Sequence, residues 1–565
     1  MRNKFVKAMA IMLALAAALS VCGCKDNGSD GQPYEPTEPV DVERTQLYVF
    51  NDNSSYGSEW LMNAKTRFEQ LHAADDFWEE GKKGVQVVVK NTQNGLGTAQ
   101  EILSGDDELF FVQEADYYAL RKGGVIANIA DVVTETLSGE ERSIADKMDS
   151  RQKARYGSTD GGKQSYYGVP THLAYFGFVY NVDLFDAEGY YLLDAPVGAE
   201  DTEDYFIKSA TDVKSAGPDG TKGTPDDGLP ATYDEFFLLC DYIDSKRQTP
   251  VMWAGKDYDT YLTRLAGALA ADYEGYGQTM LNYTLEGEAT NLGKISNGQF
   301  KLDEQSTPIT LDNAYELARQ AGNYYALQFV RRLTGEDDYT HDKAYDDRHT
   351  RYHAQTDFLH AGQDGGMAPI AMLADGVWWE SQAAATFASM SEENETLSKQ
   401  NRRFGWLPLP KATKEQVGQG STLIDTLNAF VFMKSNVKDW KKPLAKEFLQ
   451  FLFTDESLAK YTQLTGAPTA LSYTLTDGDK SQVSPFGLSV AEAKAKAETV
   501  YPYSTKEVFT EHEKGFQALE RWRAKFTLGQ QQFPAAAFHD ANMSVVDYFN
   551  GMCKYRKYAW SEWAE

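Results

Sequence analysis

The stretch YYGVPTHLAYFGFVYNVDLF, Tyr166 to Phe185, decides how the rest of the chain is read. Apolar and aromatic residues fill it until Asn181 and Asp183 break the run. Such a block, ended by polar residues, reads as a buried strand, then a turn, then a helix.

Upstream, short apolar runs alternate with amphipathic ones. QLYVF (Gln46 to Phe50) is a strand candidate, and Trp60, Leu61, Ala64, Phe68 and Leu71 recur behind it at helical spacing. VQVVV (Val85 to Val89) predicts a second strand, AQEIL a short helix and ELFFV (Glu108 to Val112) a third strand. A further helix starts at Tyr117 to Leu120. This order argues for a parallel α/β sheet. Ligands of such sheets collect at the carboxyl ends of the strands, where NDNSSYGSE, Asn51 to Glu59, lies.

Downstream, a Gly- and Asp-rich insertion covers roughly 187–230, followed by a helix signal in TYDEFFLLCDYI. Thr249 to Gly275 reads as strand, loop and helix, and DFLHAGQDGGMAPIAMLADGVWWES as helix end, strand and turn. FGWLPLP (Phe404 to Pro410) and LNAFVFM (Leu427 to Met433) follow, then the amphipathic KPLAKEFLQFLF, Lys442 to Phe453. The tail from Glu492 to Glu565 is expected to be mainly helical. There is no internal repeat.

The chain begins MRNKFVKAMAIMLALAAALSVCGC. Three basic residues, an apolar run from Ala8 to Ser20 and small residues before cysteine read as a secretory signal, too short to span a bilayer. Val21-Cys22-Gly23-Cys24 resembles a lipoprotein box, which implies lipidation at Cys24 after removal of residues 1–23. KDNGSDGQPYEPTEPVDVE, polar and rich in Pro and Gly, reads as a tether, so residues 24–45 form the anchor and linker. The expected product is exported and held at the outer face of the cell membrane by lipid alone.

Removal of Arg2, Lys4 and Lys7 takes the formal charge from −28 to −31. Such an acidic surface argues against nucleic acid and against docking on anionic lipid. Beyond the anchoring Cys24 only Cys240 and Cys553 remain, a pair free to join in an oxidising compartment but too few to define a fold. The length exceeds one core, so two lobes are expected. Aromatics make up 13% of the chain; packing explains most of them, and a carbohydrate-facing surface would explain the surplus.

These blocks, in this order, resemble the extracellular solute-binding proteins of ABC importers, family 1, the carbohydrate-type branch. The resemblance rests on the lipobox, VPTHLAYFGFVYNVDLF, the DG-x-WW turn, FGWLPLP, STLIDTLNAFVFM and AKEFLQFLFTDESLAKYTQLTGAPTA. It implies an α/β, two-lobed, type II periplasmic-binding-protein-like fold whose cleft closes on a sugar. By that plan lobe 1 is 46–178 plus 428–475, and lobe 2 is 179–427 plus 476–565. It further implies a monomer, ABC permease subunits and an ATPase as partners, and no catalysis. The acidic surface favours a neutral oligosaccharide.

Sugars ask for flat aromatics and for planar polar groups. In LADGVWWES, Trp378 is expected to stack on the ligand while Trp379 packs inward, with Asp375 or Glu380 accepting hydroxyls. The alternative puts both rings in the interlobe core. An indole burying about 100 Å² of apolar area contributes roughly 2.5 kcal/mol. Trp253 and Tyr258 stand where a strand gives way to a loop, with ligand contact and core packing both open. Tyr175 lies in a crossing segment near the cleft floor, a candidate contact; Glu114 follows the third strand, where it either grips hydroxyls or starts a solvated helix. Asn51 and Asp52 lie at the first strand's end, with helix capping as their simpler role.

AGPDGTKGTPDDG, Ala216 to Gly228, gathers Asp219, Asp226 and Asp227 among glycines, a candidate structural calcium loop without EF-hand spacing. His349 and His353, four apart, raise a zinc pair with Asp346, although no H-E-x-x-H occurs. Two rivals stay open: a lipid-anchored glycan hydrolase, which needs two carboxylates about 5–10 Å apart, and a surface glycan-capture lipoprotein without a transporter.

Overall fold

The computed structural model describes residues 38–564 except 77–78, 161, 197–199, 336–338, 364–365, 507–523 and 526–530. The lipobox, Cys24 and most of the tether therefore lie outside the described residues. Residues from Glu38 onward are already tied down. Glu38 pairs with Lys65 at 2.9 Å, and the Asp41 N–H donates to Gln86 at 2.7 Å, so the linker ends before position 45.

Leaving out shorter turns and hairpins, the elements run in this order. They begin β1 (Thr45–Asp52), α1 (Glu59–Leu71), β2 (Val85–Thr92), β3 (Leu109–Val112), β4 (Val169–Pro170) and β5 (Phe176–Asn181). Next come α2 (Tyr233–Ser245), β6 (Thr249–Met252), α3 (Tyr258–Thr284), α4 (Ala321–Leu333), α5 (Arg351–His360), β7 (Ile370–Gly376) and β8 (Phe404–Leu407). The chain closes with β9 (Thr422–Ile424), β10 (Phe430–Met433), α6 (Lys442–Leu452), α7 (Asp455–Thr465), α8 (Pro485–Lys496), β11 (Glu498–Val500) and α9 (Val545–Ala564).

Two main sheets result. The first has the order β2-β1-β3-β10-β4; its first three strands run parallel, while β10 is antiparallel to both its neighbours. The second has the order β8-β5-β7-β6, with β5 antiparallel to its neighbours and β7 parallel to β6. β1 has a strand on either side and is mostly buried, as its run of apolar residues requires. α6 buries Leu444, Ala445, Phe448, Leu449 and Leu452, one face of a 3.6-residue period, onto the first sheet's core. Asn181 ends β5 and accepts from the Leu184 N–H at 3.1 Å, so the polar break in the opening stretch is a helix cap.

Each sheet has apolar clusters of its own. Leu47, Val87, Leu109 and Val431 belong to the first sheet's side, and Phe178, Val251, Leu373 and Leu407 to the second's. The chain passes from the first sheet to the second at 171–175, between β4 and β5, and returns to the first sheet at β10 through 425–429. A boundary at 178/179 would cut β5, and the expected lobe limits need that correction. The tail is helical only in part, since β11 interrupts it. Cys240 and Cys553 are free thiols, so the expected option of a disulfide is not taken up.

Candidate ligand-binding site

The first sheet's parallel strands end together at Asp52, Thr92 and Val112. Just beyond those ends stand Ser54, Gln93, Gln113 and Glu114. Facing them from the second sheet's side are α3, the first turns of α5, and the segment after β7. Side chains meet across the junction. Arg264 Nη2 donates to Glu114 Oε1 at 2.9 Å, and Gln93 Nε2 to the Tyr352 hydroxyl at 3.1 Å. Gln382 Nε2 donates to the Ser54 carbonyl at 2.6 Å. Gln355 Nε2 bridges Gln382 Oε1 at 2.7 Å and Asp375 Oδ2 at 2.9 Å.

The backbone is bent to serve this place. Glu114 holds φ 52, a left-handed conformation unusual for a residue with a Cβ, and its N–H is fixed on the Leu427 carbonyl at 2.7 Å. Asp52 Oδ1 accepts from Ser54 Oγ at 2.6 Å and from Gln113 Nε2 at 3.0 Å. Asn51, buried, donates to Asn91 Oδ1 at 2.8 Å and so ties β1 to β2. Asp52 and Glu114 thus border the junction, whereas Asn51 braces the strand ends.

The bare indole expected from the sequence is absent, and that expectation is corrected. Trp378 is only 2% exposed. One face is taken by the Arg264 guanidinium, 5.7 Å from the ring centre, and Phe176 lies 6.1 Å away. The ring folds back over Gly376, where a Cβ would come within 2.3 Å of it; this is what the glycine of the DG-x-WW turn is for. Trp379 does pack inward, among Phe358, Phe387, Phe404 and Phe486. Trp378 nevertheless borders the junction, because Arg264 touches both its ring and Glu114.

The two acidic candidates of the same turn are buried. Asp375 Oδ1 accepts from the Gly376 N–H at 2.7 Å, and burial pushes its carboxyl up to about 6. It lies beneath Gln355 at the floor of the junction. Glu380 points the other way, accepting from Ser484 Oγ at 2.7 Å, and burial pushes it up to about 7. It is a core residue, not a junction residue. So is Trp253, whose indole N–H donates to the Ala344 carbonyl at 2.7 Å in a fully buried setting. Tyr258 turns to the C-terminal region, donating to Asp540 Oδ2 at 2.9 Å. Tyr175 is buried against Thr499 at 2.8 Å, in the crossing segment but behind the junction. These four expectations are corrected: side chains at strand and loop ends were taken up by neighbouring packing.

The three aspartates of the Gly-rich insertion do not converge as a cation cage. Asp226 accepts from Thr224 Oγ1 at 2.6 Å and the Asp219 N–H at 3.1 Å; Asp227 accepts from the Gly223 N–H at 2.8 Å. Their oxygens are spent on turning the backbone. Among the described residues no group of three or more His, Cys, Asp or Glu side chains is placed to hold a metal ion. His349 pairs instead with Asp357 at 2.9 Å. A cavity of about 200 Å³ lies beside this insertion, lined by Tyr180, Trp406, Leu409 and Lys496. It sits at the end of the edge strand β8, away from the first sheet's strand ends, and none of the expected sugar-contacting residues lines it.

Sequence reasoning missed the junction's own members: Gln93, Gln113, Arg264, Arg351, Tyr352, Gln355 and Gln382. The strand-end rule that singled out Asn51 and Asp52 applies equally after β2 and points to Gln93. No periodicity marks Arg264 or Gln355, whose role depends on helix orientation.

No family model matches the chain, and no curated protein sequence does. Among solved structures, one described as a chitin oligosaccharide binding protein resembles it with a TM-score of 0.52. That likeness covers 92% of this chain and 100% of the other, at 15% sequence identity, and is a likeness of fold.

Proposed function

We propose that the protein is a non-enzymatic receptor for a carbohydrate, held between two lobes built on the two sheets. One observation carries the reading: polar and aromatic side chains from both sheets converge at the strand ends, the place where an open α/β fold takes its ligand. The fold likeness to a chitin oligosaccharide binding protein supports an oligosaccharide as the class. Ligand bridging the two lobes favours the closed arrangement. In this reading the lobes form a type II binding-protein fold, Cys24 carries lipid outside the cell membrane, and the monomer delivers its sugar to an ABC permease driven by an ATPase. The receptor requires no cofactor.

The test is a thermal-shift screen with mono- and oligosaccharides, including chitin oligosaccharides, followed by calorimetry and product analysis. A binder raises the melting temperature in a dose-dependent way and leaves the sugar intact. Arg264→Ala and Gln382→Ala weaken binding, while Lys496→Ala, in the cavity beside β8, does not. Cleaved products would replace the receptor with a hydrolase. Binding lost with Lys496→Ala and kept with Arg264→Ala would move the site to that cavity.

A further inference from the structure

We propose that the bound sugar carries a carboxylate and that Arg351 receives it. The inference rests on the carbohydrate reading and narrows it to acidic saccharides. Arg351 is the first residue of α5 and its side chain faces the strand-end loop of β2. The guanidinium lies over the Tyr352 ring, 4.9 Å from its centre. Its hydrogen bonds go to neutral oxygens and are long: 3.3 Å to the Tyr352 hydroxyl and 3.4 Å to Gln93 Oε1. The Nε atom is buried and has no hydrogen-bond partner.

That arrangement is unexpected in a chain where 83 Asp and Glu outnumber 55 Lys and Arg. Acidic partners for a cation are plentiful, yet the nearby ones are committed elsewhere. Asp375 spends one oxygen on Gln355 and the other on the Gly376 N–H, and Glu114 pairs with Arg264. Asp257 acts on Arg351 only through its field. A half-buried guanidinium with an N–H lacking an acceptor is a donor held ready. A planar carboxylate matches it, one oxygen on Nε–H and the other on a neighbouring Nη–H. The whole-surface charge, which favours neutral ligands at a distance, does not govern this contact.

The experiment uses uronate-containing oligosaccharides and the same compounds with each carboxylate reduced to a hydroxymethyl group, titrated into the full chain. The acidic form is expected to bind about ten- to a hundredfold more tightly, as a charge-assisted hydrogen bond gives. Arg351→Met removes that difference, and Arg351→Lys, which keeps charge but lacks the Nε–H fork, restores only part of it. Equal binding of acidic and reduced forms overturns the inference and leaves the carbohydrate reading standing. If neither form binds but neutral oligosaccharides do, the inference alone falls. If no saccharide of any kind binds, both fall. The wild-type comparison needs no variant to fold.

Discussion

Gly376 and Trp378 are matched in shape. The indole occupies the volume that any Cβ at position 376 would need, with the ring 2.3 Å from where that carbon would sit. Gly376→Ala therefore expels the ring or bends β7, at about 1–3 kcal/mol for overpacking. The expected readout is a lower melting temperature together with red-shifted tryptophan emission; a variant with wild-type melting and emission would show that the ring does not lie there. Asp425 makes a different demand. It is buried where the chain crosses between sheets, accepts from the Ala174 N–H at 3.0 Å, and burial pushes its carboxyl up to about 7. The folded state therefore holds its proton more tightly than the unfolded chain. The stability this contributes is fully present below about pH 4, and is lost as pH rises to about 7. Asp425→Asn keeps an oxygen for the Ala174 N–H without the charge. It should match wild type near pH 4 or lower and be more stable by on the order of 2–4 kcal/mol at pH 8. Parallel melting curves at both pH values would contradict the protonated, buried carboxyl. Neither residue's setting was legible in sequence: the glycine announced a turn, but the ring filling it comes from packing two residues on.

At the scale of elements, the strands were legible because their apolar runs are short and bounded by turn residues, and α6 because its apolar residues share one face. Element order does not reveal the partners. Nothing in LNAFVFM states that β10 inserts antiparallel between β3 and β4, both more than 250 residues upstream. Nor does any local pattern show that α3 carries a carboxylate for a distant loop. Asp272 of α3 receives Lys411 at 2.9 and 3.0 Å, with both side chains almost fully buried, and its Oδ1 also accepts the Thr422 N–H of β9 at 3.2 Å. This pair pins β9 and the segment after β8 to α3. Removing one partner leaves an uncompensated charge in the interior, so Lys411→Met should cost about 3–5 kcal/mol. The double variant with Asp272→Leu should recover much of that loss. Chemical denaturation of the single and double variants measures both. A Lys411→Met chain as stable as wild type would mean the pair is solvated in solution.

At the scale of the molecule, the question is how firmly the strand ends hold to the opposite side. The direct links are modest. Glu114 is 57% exposed and Arg264 24%, so their ion pair belongs to a class worth about 0–1 kcal/mol. The Gln382 to Ser54 bond is a neutral one, worth about 1 kcal/mol. The crossing segments are tied more tightly by backbone, with the Thr426 N–H on the Ala174 carbonyl at 2.8 Å and the Val377 N–H on the Tyr175 carbonyl at 3.0 Å. Strong hinges beside weak clamps are what the proposed opening of two lobes requires. Glu114→Gln alone should then change ligand affinity less than about fivefold, and adding Gln382→Ala should bring the loss to roughly tenfold or more, because a receptor less often closed binds in proportion to its closed fraction. Small-angle scattering of the double variant should show a larger radius of gyration that saturating ligand reduces. An unchanged radius and unchanged affinity would mean that these links do not set closure, leaving the junction as a rigid groove.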